Sequence, residues 1–134
     1  MRGNKGFTLI ELLAVLVILA IIALITTPII LGVIEDSRQK GAEDKAWGVI
    51  DAIKLAYTED QTGNNPSYTV GSTITFGGSN DPAVGSATVK ASGQMPSAGT
   101  ASIAEDGTIT VTGLKFDQYT CSNNGDPNTM TCTK

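Results

Sequence analysis

Residues 6–34 read GFTLIELLAVLVILAIIALITTPIILGVI, and from Phe7 to Ile34 the only ionisable side chain is Glu11. Between Leu12 and Ile25 no side chain is polar, and the apolar run resumes at Ile29 after Thr26, Thr27 and Pro28. Counted from Phe7, the stretch holds 28 residues. A helix needs roughly 20 to cross the hydrocarbon core of a bilayer. A secretory signal has a shorter apolar core, followed by small residues at a cleavage site. No such site follows here, so the segment is expected to stay in the mature chain. Pro28 would break a helix in water, but in lipid it is tolerated as a kink. With Gly32 close behind, a bend is expected over residues 28–32.

Downstream of this run the hydrophobic period changes. Ala46, Val49, Ile50, Ile53, Ala56 and Tyr57 fall on one helical stripe, with Asp44, Lys45, Asp51, Lys54 and Glu59 off it. Gly63, followed by Asn64, Asn65 and Pro66, provides a C-terminal stop. One helix over residues 7–62 is therefore predicted, on the order of 80 Å long at 1.5 Å per residue. Its first half is lipid-like and its second half amphipathic. A sheet is predicted to cover the stripe carrying Trp47, Ile50 and Ile53. Its candidate strands are Tyr68 to Phe76, Ala87 to Ala91, Ala101 to Glu105, Thr108 to Thr112 and Leu114 to Tyr119. Asp106-Gly107 is the dipeptide favoured in a two-residue hairpin turn. Residues 77–85 and 92–99 read as loops. The predicted class is α+β, a long N-terminal helix packed by its second half on a small antiparallel sheet. Four segments follow: 1–6, 7–34, 35–63 and 64–134.

Composition excludes several functions. The 134 residues carry 9 basic and 13 acidic side chains, a net charge of −4. Removing residues 1–6 would leave 7 basic against 13 acidic, so no nucleic-acid partner is expected. Histidine is absent, which removes the commonest general base and transition-metal ligand. No nucleophile motif and no phosphate loop stand in the chain, so no enzyme and no cofactor are expected. Lys40, Lys45 and Lys54 read as a solvated face. Cys121 and Cys132 lie in a segment expected to be carried across a membrane, where a disulfide is favoured over free thiols. The bond would staple a thin core by about 3 kcal/mol; a surface loop used for adhesion is the functional alternative. Asn123, Asn124, Asp126 and Asn128 inside that loop offer oxygens that calcium accepts, Asn124 and Asp126 being the weak candidates. Their spacing fits no EF-hand, and turns use the same residues.

Glu11 is the residue that points to a function. A carboxylate in a membrane helix is costly unless it finds a partner, and a buried pair serves register more than stability. The stretch Gly6-Phe7-Thr8-Leu9-Ile10-Glu11 and the apolar run behind it resemble the prepilin signature of type IV pilins and their pseudopilin relatives. The close match covers residues 1–34. In that family a membrane-embedded aspartyl peptidase cuts after the glycine that ends a short basic leader. The new N-terminal residue, usually phenylalanine, is N-methylated, and a glutamate four positions later is kept for assembly. The resemblance implies cleavage at Gly6/Phe7, methylation of Phe7 and assembly through Glu11, with Pro28 where the family carries a helix-bending proline. It implies a homopolymer, with a prepilin peptidase and N-methyltransferase, an assembly ATPase and a platform membrane protein as partners. It also places the N-terminus of the single-pass precursor in the cytoplasm and the filament outside the cell. A GxxxG dimer motif is absent, since no glycine stands between Phe7 and Gly32.

The leading expectation is a structural pilus subunit. The alternative within the family is a pseudopilin of a type II secretion or DNA-uptake (competence) machine. From another class comes a monomeric single-span protein whose head binds a ligand, which leaves the Gly6 to Glu11 register as coincidence.

Overall fold

The computed structural model describes residues 6–134; the basic residues Arg2 and Lys5 of the expected leader lie outside them. The chain divides into two compact units, one ending at Ser37 and one running from Arg38 to Lys134. A single helix, α1 (Leu9–Thr62), supplies the first unit and enters the second. It passes through Pro28 without a break in its helical assignment. Its end is as predicted: the N–H of Gly63 donates to the carbonyl oxygens of Glu59 (3.0 Å) and Asp60 (3.3 Å). Those bonds satisfy carbonyls that a helix C-terminus otherwise leaves orphaned.

In the second unit the stripe of α1 is buried as its spacing requires. Ala46, Val49, Ile50, Ile53 and Ala56 are all in the core, and Trp47 and Tyr57 pack at its margin. Against them lie eight short strands: β1 (Ile74–Phe76), β2 (Ala83–Val84), β3 (Ala87–Thr88), β4 (Gly99–Ile103), β5 (Ile109–Thr112), β6 (Leu114–Phe116), β7 (Tyr119–Ser122) and β8 (Thr131–Thr133). They form two three-stranded antiparallel sheets, β1-β4-β5 and β6-β7-β8, and a β2-β3 hairpin. Ile74, Phe76, Ala101, Ile103, Ile109, Val111, Leu114 and Phe116 alternate inward from them onto the helix. The class is α+β, with an apolar N-terminal helix and small antiparallel sheets.

Several details differ from the sequence reading: two sheets and a hairpin stand where one sheet was expected, and the strand predicted over Ala87 to Ala91 ends at Thr88. The strand predicted from Tyr68 begins only at Ile74. The Tyr68 hydroxyl instead accepts the N–H of Ile103 (3.1 Å) and donates to the carbonyl of Ser72 (2.9 Å), while Gly71 donates to the carbonyl of Ile103 (2.9 Å). Residues 68–72 thus cap the end of β4 instead of pairing along it. The Asp106-Gly107 turn has three loop residues, because Ala104 and Thr108 pair and Gly107 takes φ +83°. A type I turn followed by a left-handed glycine is the usual three-residue hairpin. The strand predicted over Leu114 to Tyr119 is a hairpin. Phe116 pairs with Tyr119, and Asp117 turns the chain at φ 53°. Finally, the loop expected at 77–85 contains β2.

Candidate assembly site in the apolar helix

In the first unit all nineteen large apolar side chains from Phe7 to Ile34 are exposed, Phe7 at 89%. Leaving a buried-type side chain in water costs about 1 kcal/mol or more even when half-exposed, so together they cost on the order of 20 kcal/mol. A whole domain is stabilised by only about 5–15 kcal/mol. This surface therefore requires a cover, and the helix is long and apolar enough for that cover to be a membrane.

At the start of α1 the polar groups are paired with one another. Thr8 is the N-cap. Its carbonyl accepts the N–H of Leu12 (3.3 Å) and its hydroxyl oxygen accepts that of Glu11 (3.4 Å). In return, the backbone N–H and the Oγ1 hydroxyl of Thr8 both donate to Oε2 of Glu11, each at 2.8 Å. This is a capping box, which satisfies two donors of the first turn reciprocally. Glu11 also places negative charge at the positive end of the helix dipole. The T-x-x-E pattern at residues 8–11 signalled the box in the sequence, but the reading of Glu11 as an assembly residue passed over it.

Gly6 and Phe7 precede the helix and are exposed. A Cβ at Gly6 or at Gly32 would meet nothing within 4 Å, so nothing in the fold itself requires glycine at either place. Around Pro28, Thr26 and Thr27 donate their hydroxyls to the carbonyls of Ile22 (2.6 Å) and Ala23 (2.7 Å). Such back-bonding hides the hydroxyls in an apolar segment and favours bending of a helix.

The second unit holds the remaining candidates. Cys121 and Cys132 face each other across β7 and β8, fully buried, and form a disulfide. Asn124 and Asp126 serve the turns between those strands. Asn124 adopts φ 49°, and the carboxylate of Asp126 accepts the N–H of Asn128 (2.9 Å) and the hydroxyl of Thr129 (2.7 Å). These bonds, the Thr129 hydroxyl first, hold the Asp126 carboxyl below the usual carboxylate range. Among the described residues no three carboxylate or thiol side chains gather to form a metal cluster. Lys45 reaches Gln94 (2.7 Å) and Asp117 (3.4 Å), and Lys54 reaches Asp51 (3.5 Å).

Two buried polar residues carry more of this unit than the sequence suggested. Asp60, 2% exposed, accepts hydrogen bonds from the backbone N–H groups of Ser67, Tyr68 and Ser86 and from the Ser67 and Ser86 hydroxyls. The Ser86 and Tyr68 amides outweigh the opposing effect of burial and hold its carboxyl well below the ordinary value. Asp60 stands four residues after Ala56, on the apolar stripe, and a carboxylate on a buried stripe was the available signal. Asn123, equally buried, joins the two sheets through the edge of β5.

No curated protein and no solved structure matches the chain. Residues 1–27 match the prokaryotic N-terminal methylation motif, so the chain carries at its N-terminus the signature of type IV pilins and pseudopilins.

Proposed function

We propose that the protein is the structural subunit of a type IV pilus-like filament, cleaved after Gly6, N-methylated on Phe7 and polymerised through its apolar helix. The observation that carries this reading is the coincidence of two things at one helix. The methylation motif covers residues 1–27, and the same helix exposes an apolar surface that water does not tolerate. In the membrane, lipid covers that surface; in a filament, the helices of other copies cover it. Leu12, Val15, Ile18 and Ile22 then exchange lipid contacts for helix contacts, and extraction costs little apolar exposure. Residues 1–6 act as leader, 7–34 as the membrane and polymerisation helix, 35–63 as its amphipathic continuation and 64–134 as the head closed by the Cys121–Cys132 loop. Glu11 of one copy neutralises the methylated amine of Phe7 of another, and Pro28 with Gly32 lets the helix bend in the packed core. A prepilin peptidase with methyltransferase activity, an assembly ATPase and a platform membrane protein complete the system. The precursor sits in the cytoplasmic membrane with its N-terminus inside, and the filament stands outside.

The test is intact-mass and peptide mass spectrometry on material sheared from the native cells. A sedimentable fraction whose chains begin at Phe7 with one added methyl is the expected result. Chains beginning at Met1 and confined to membranes would overturn the proposal and leave the monomeric single-span reading.

A further inference from the structure

We propose that an open cavity between α1 and the β4–β5 turn is a binding site for a neutral pyranose ring of a carbohydrate, with Trp47 as its stacking surface. The cavity lies wholly within the second unit and holds about 170 Å³. That is less than the roughly 300–1,000 Å³ of a pocket for a drug-sized molecule, so it takes one ring and neither a large cofactor nor a helix. Trp47 stands beside the buried stripe of α1, yet it stays half-buried while its neighbours Ala46 and Val49 are fully enclosed. It lines the cavity together with Ile109 and Pro127.

The polar lining decides the class of ligand. Lys54, Asp106 and Thr108 bring one positive charge, one negative charge and one hydroxyl. A lining without net charge prefers neither an anion nor a cation. A polyol uses both signs, because its hydroxyls donate to the carboxylate and accept from the ammonium, and such charge-assisted bonds are the stronger kind. The C–H face of a pyranose supplies the apolar area that an indole covers. Lys54 is only loosely held, 3.5 Å from Asp51 and 62% exposed, so its ammonium can turn to a ligand. The walls, by contrast, are already in place. Oδ1 of Asp106 accepts the N–H of Thr108 (2.9 Å), and the Asn123 amide at the same cavity is tied to β5 by two bonds. A site fixed before binding loses little to ordering. The site does not depend on the filament reading, but a filament would repeat it in every copy and raise weak binding by avidity.

The experiment titrates the full-length protein, in a detergent without a sugar head group, with D-glucose, D-galactose and N-acetyl-D-glucosamine. Trp47 is the only tryptophan, so its emission reads the site directly, and ligand-detected NMR on the same samples reads binding that leaves the emission unmoved. A saturable signal with at least one of the three sugars is expected. Its Kd should be on the order of 1 mM, because a single ring has few atoms to contribute. Mannitol, a polyol without a ring, should give no saturable signal. Asp106→Asn keeps an acceptor for the Thr108 N–H and removes the charge, so it should melt like wild type and bind about tenfold more weakly. If it melts lower, Lys54→Gln on the exposed face of α1 takes its place, with weakened binding again expected. Lys90→Gln removes a charge elsewhere on the surface and should bind like wild type. No saturable signal with any of the three sugars, an equal signal with mannitol, or wild-type affinity in the cavity variants overturns the inference. So does tighter binding of the anionic N-acetylneuraminate or the cationic glucosamine, which would assign the cavity to a charged ligand.

Discussion

Replacing Asn123 by alanine should destabilise the second unit far more than its place in a surface loop suggests. Its Oδ1 accepts the N–H of Val111 at 2.9 Å and its Nδ2 donates to the carbonyl of Ile109 at 2.7 Å. Both partners belong to β5, whose other edge is already paired with β4. The amide therefore acts as one residue of a missing strand, and the Asn123 N–H adds a bond to the Val111 carbonyl at 3.2 Å. Alanine leaves one buried donor and one buried acceptor without a partner, at about 1–3 kcal/mol each. The expected loss is about 3 kcal/mol, which for a unit of this size lowers Tm by roughly 15 °C. Trp47 is the only tryptophan and packs at the margin of the core, so its fluorescence reports unfolding of the detergent-solubilised full chain. Asn128→Ala, at an exposed position of the same loop, serves as the control and should fall within about 0.5 kcal/mol of wild type. A loss below about 1 kcal/mol for Asn123→Ala would refute the reasoning. It would show that water satisfies both β5 groups as well as the amide does.

Two further outcomes follow from the same unit. Folding lowers the proton affinity of Asp60, so in the window between its folded and unfolded values only the unfolded chain binds that proton. Stability should therefore be full above the ordinary aspartate range and decline as pH falls below about 4. Asp60→Asn should lower the denaturation midpoint at neutral pH and flatten that acid limb, as measured by Trp47 unfolding curves from pH 3 to 7. An unchanged acid limb would assign the decline to other carboxylates, among them Asp106 and Asp126, which are shifted the same way. Replacing Cys121 and Cys132 together by alanine reopens a loop with a separation of 11 residues. The chain-entropy argument gives a loss of about 3 kcal/mol, read as a lower midpoint in denaturant. A loss near zero would mean that the β7–β8 pairing closes the loop unaided.

Much of the architecture was legible in the chain because it rests on periodicity and on solvent preference. The apolar run, the 3.6-residue stripe from Ala46 to Ala56 and the stop at Gly63 are local patterns, and α1 follows them to within a residue or two. Strand limits were less legible. Tyr68 alternates correctly for a strand, yet its hydroxyl has a stronger use at the end of β4, and no local pattern records a partner 35 residues away. The N-terminal site divides in the same way. Gly6, Phe7 and Glu11 stood out by their register, whereas the hold of Thr8 on Glu11 emerged only when the helix start was seen closed on itself.

By itself the sequence determined that one long helix begins in an apolar setting, that its second half needs a sheet, and that the Gly6 to Glu11 motif stands where that helix starts. These depend on side-chain hydrophobicity, and neighbours in sequence suffice to read it. Tertiary structure alone decided that a carboxylate at the end of α1 is buried and saturated by Ser67, Tyr68 and Ser86. It alone decided that Asn123 stands in for a strand at the edge of β5, and that two sheets and a hairpin replace one sheet. A buried polar group is tolerated only where donors and acceptors converge on it, and that convergence comes from distant segments meeting in space.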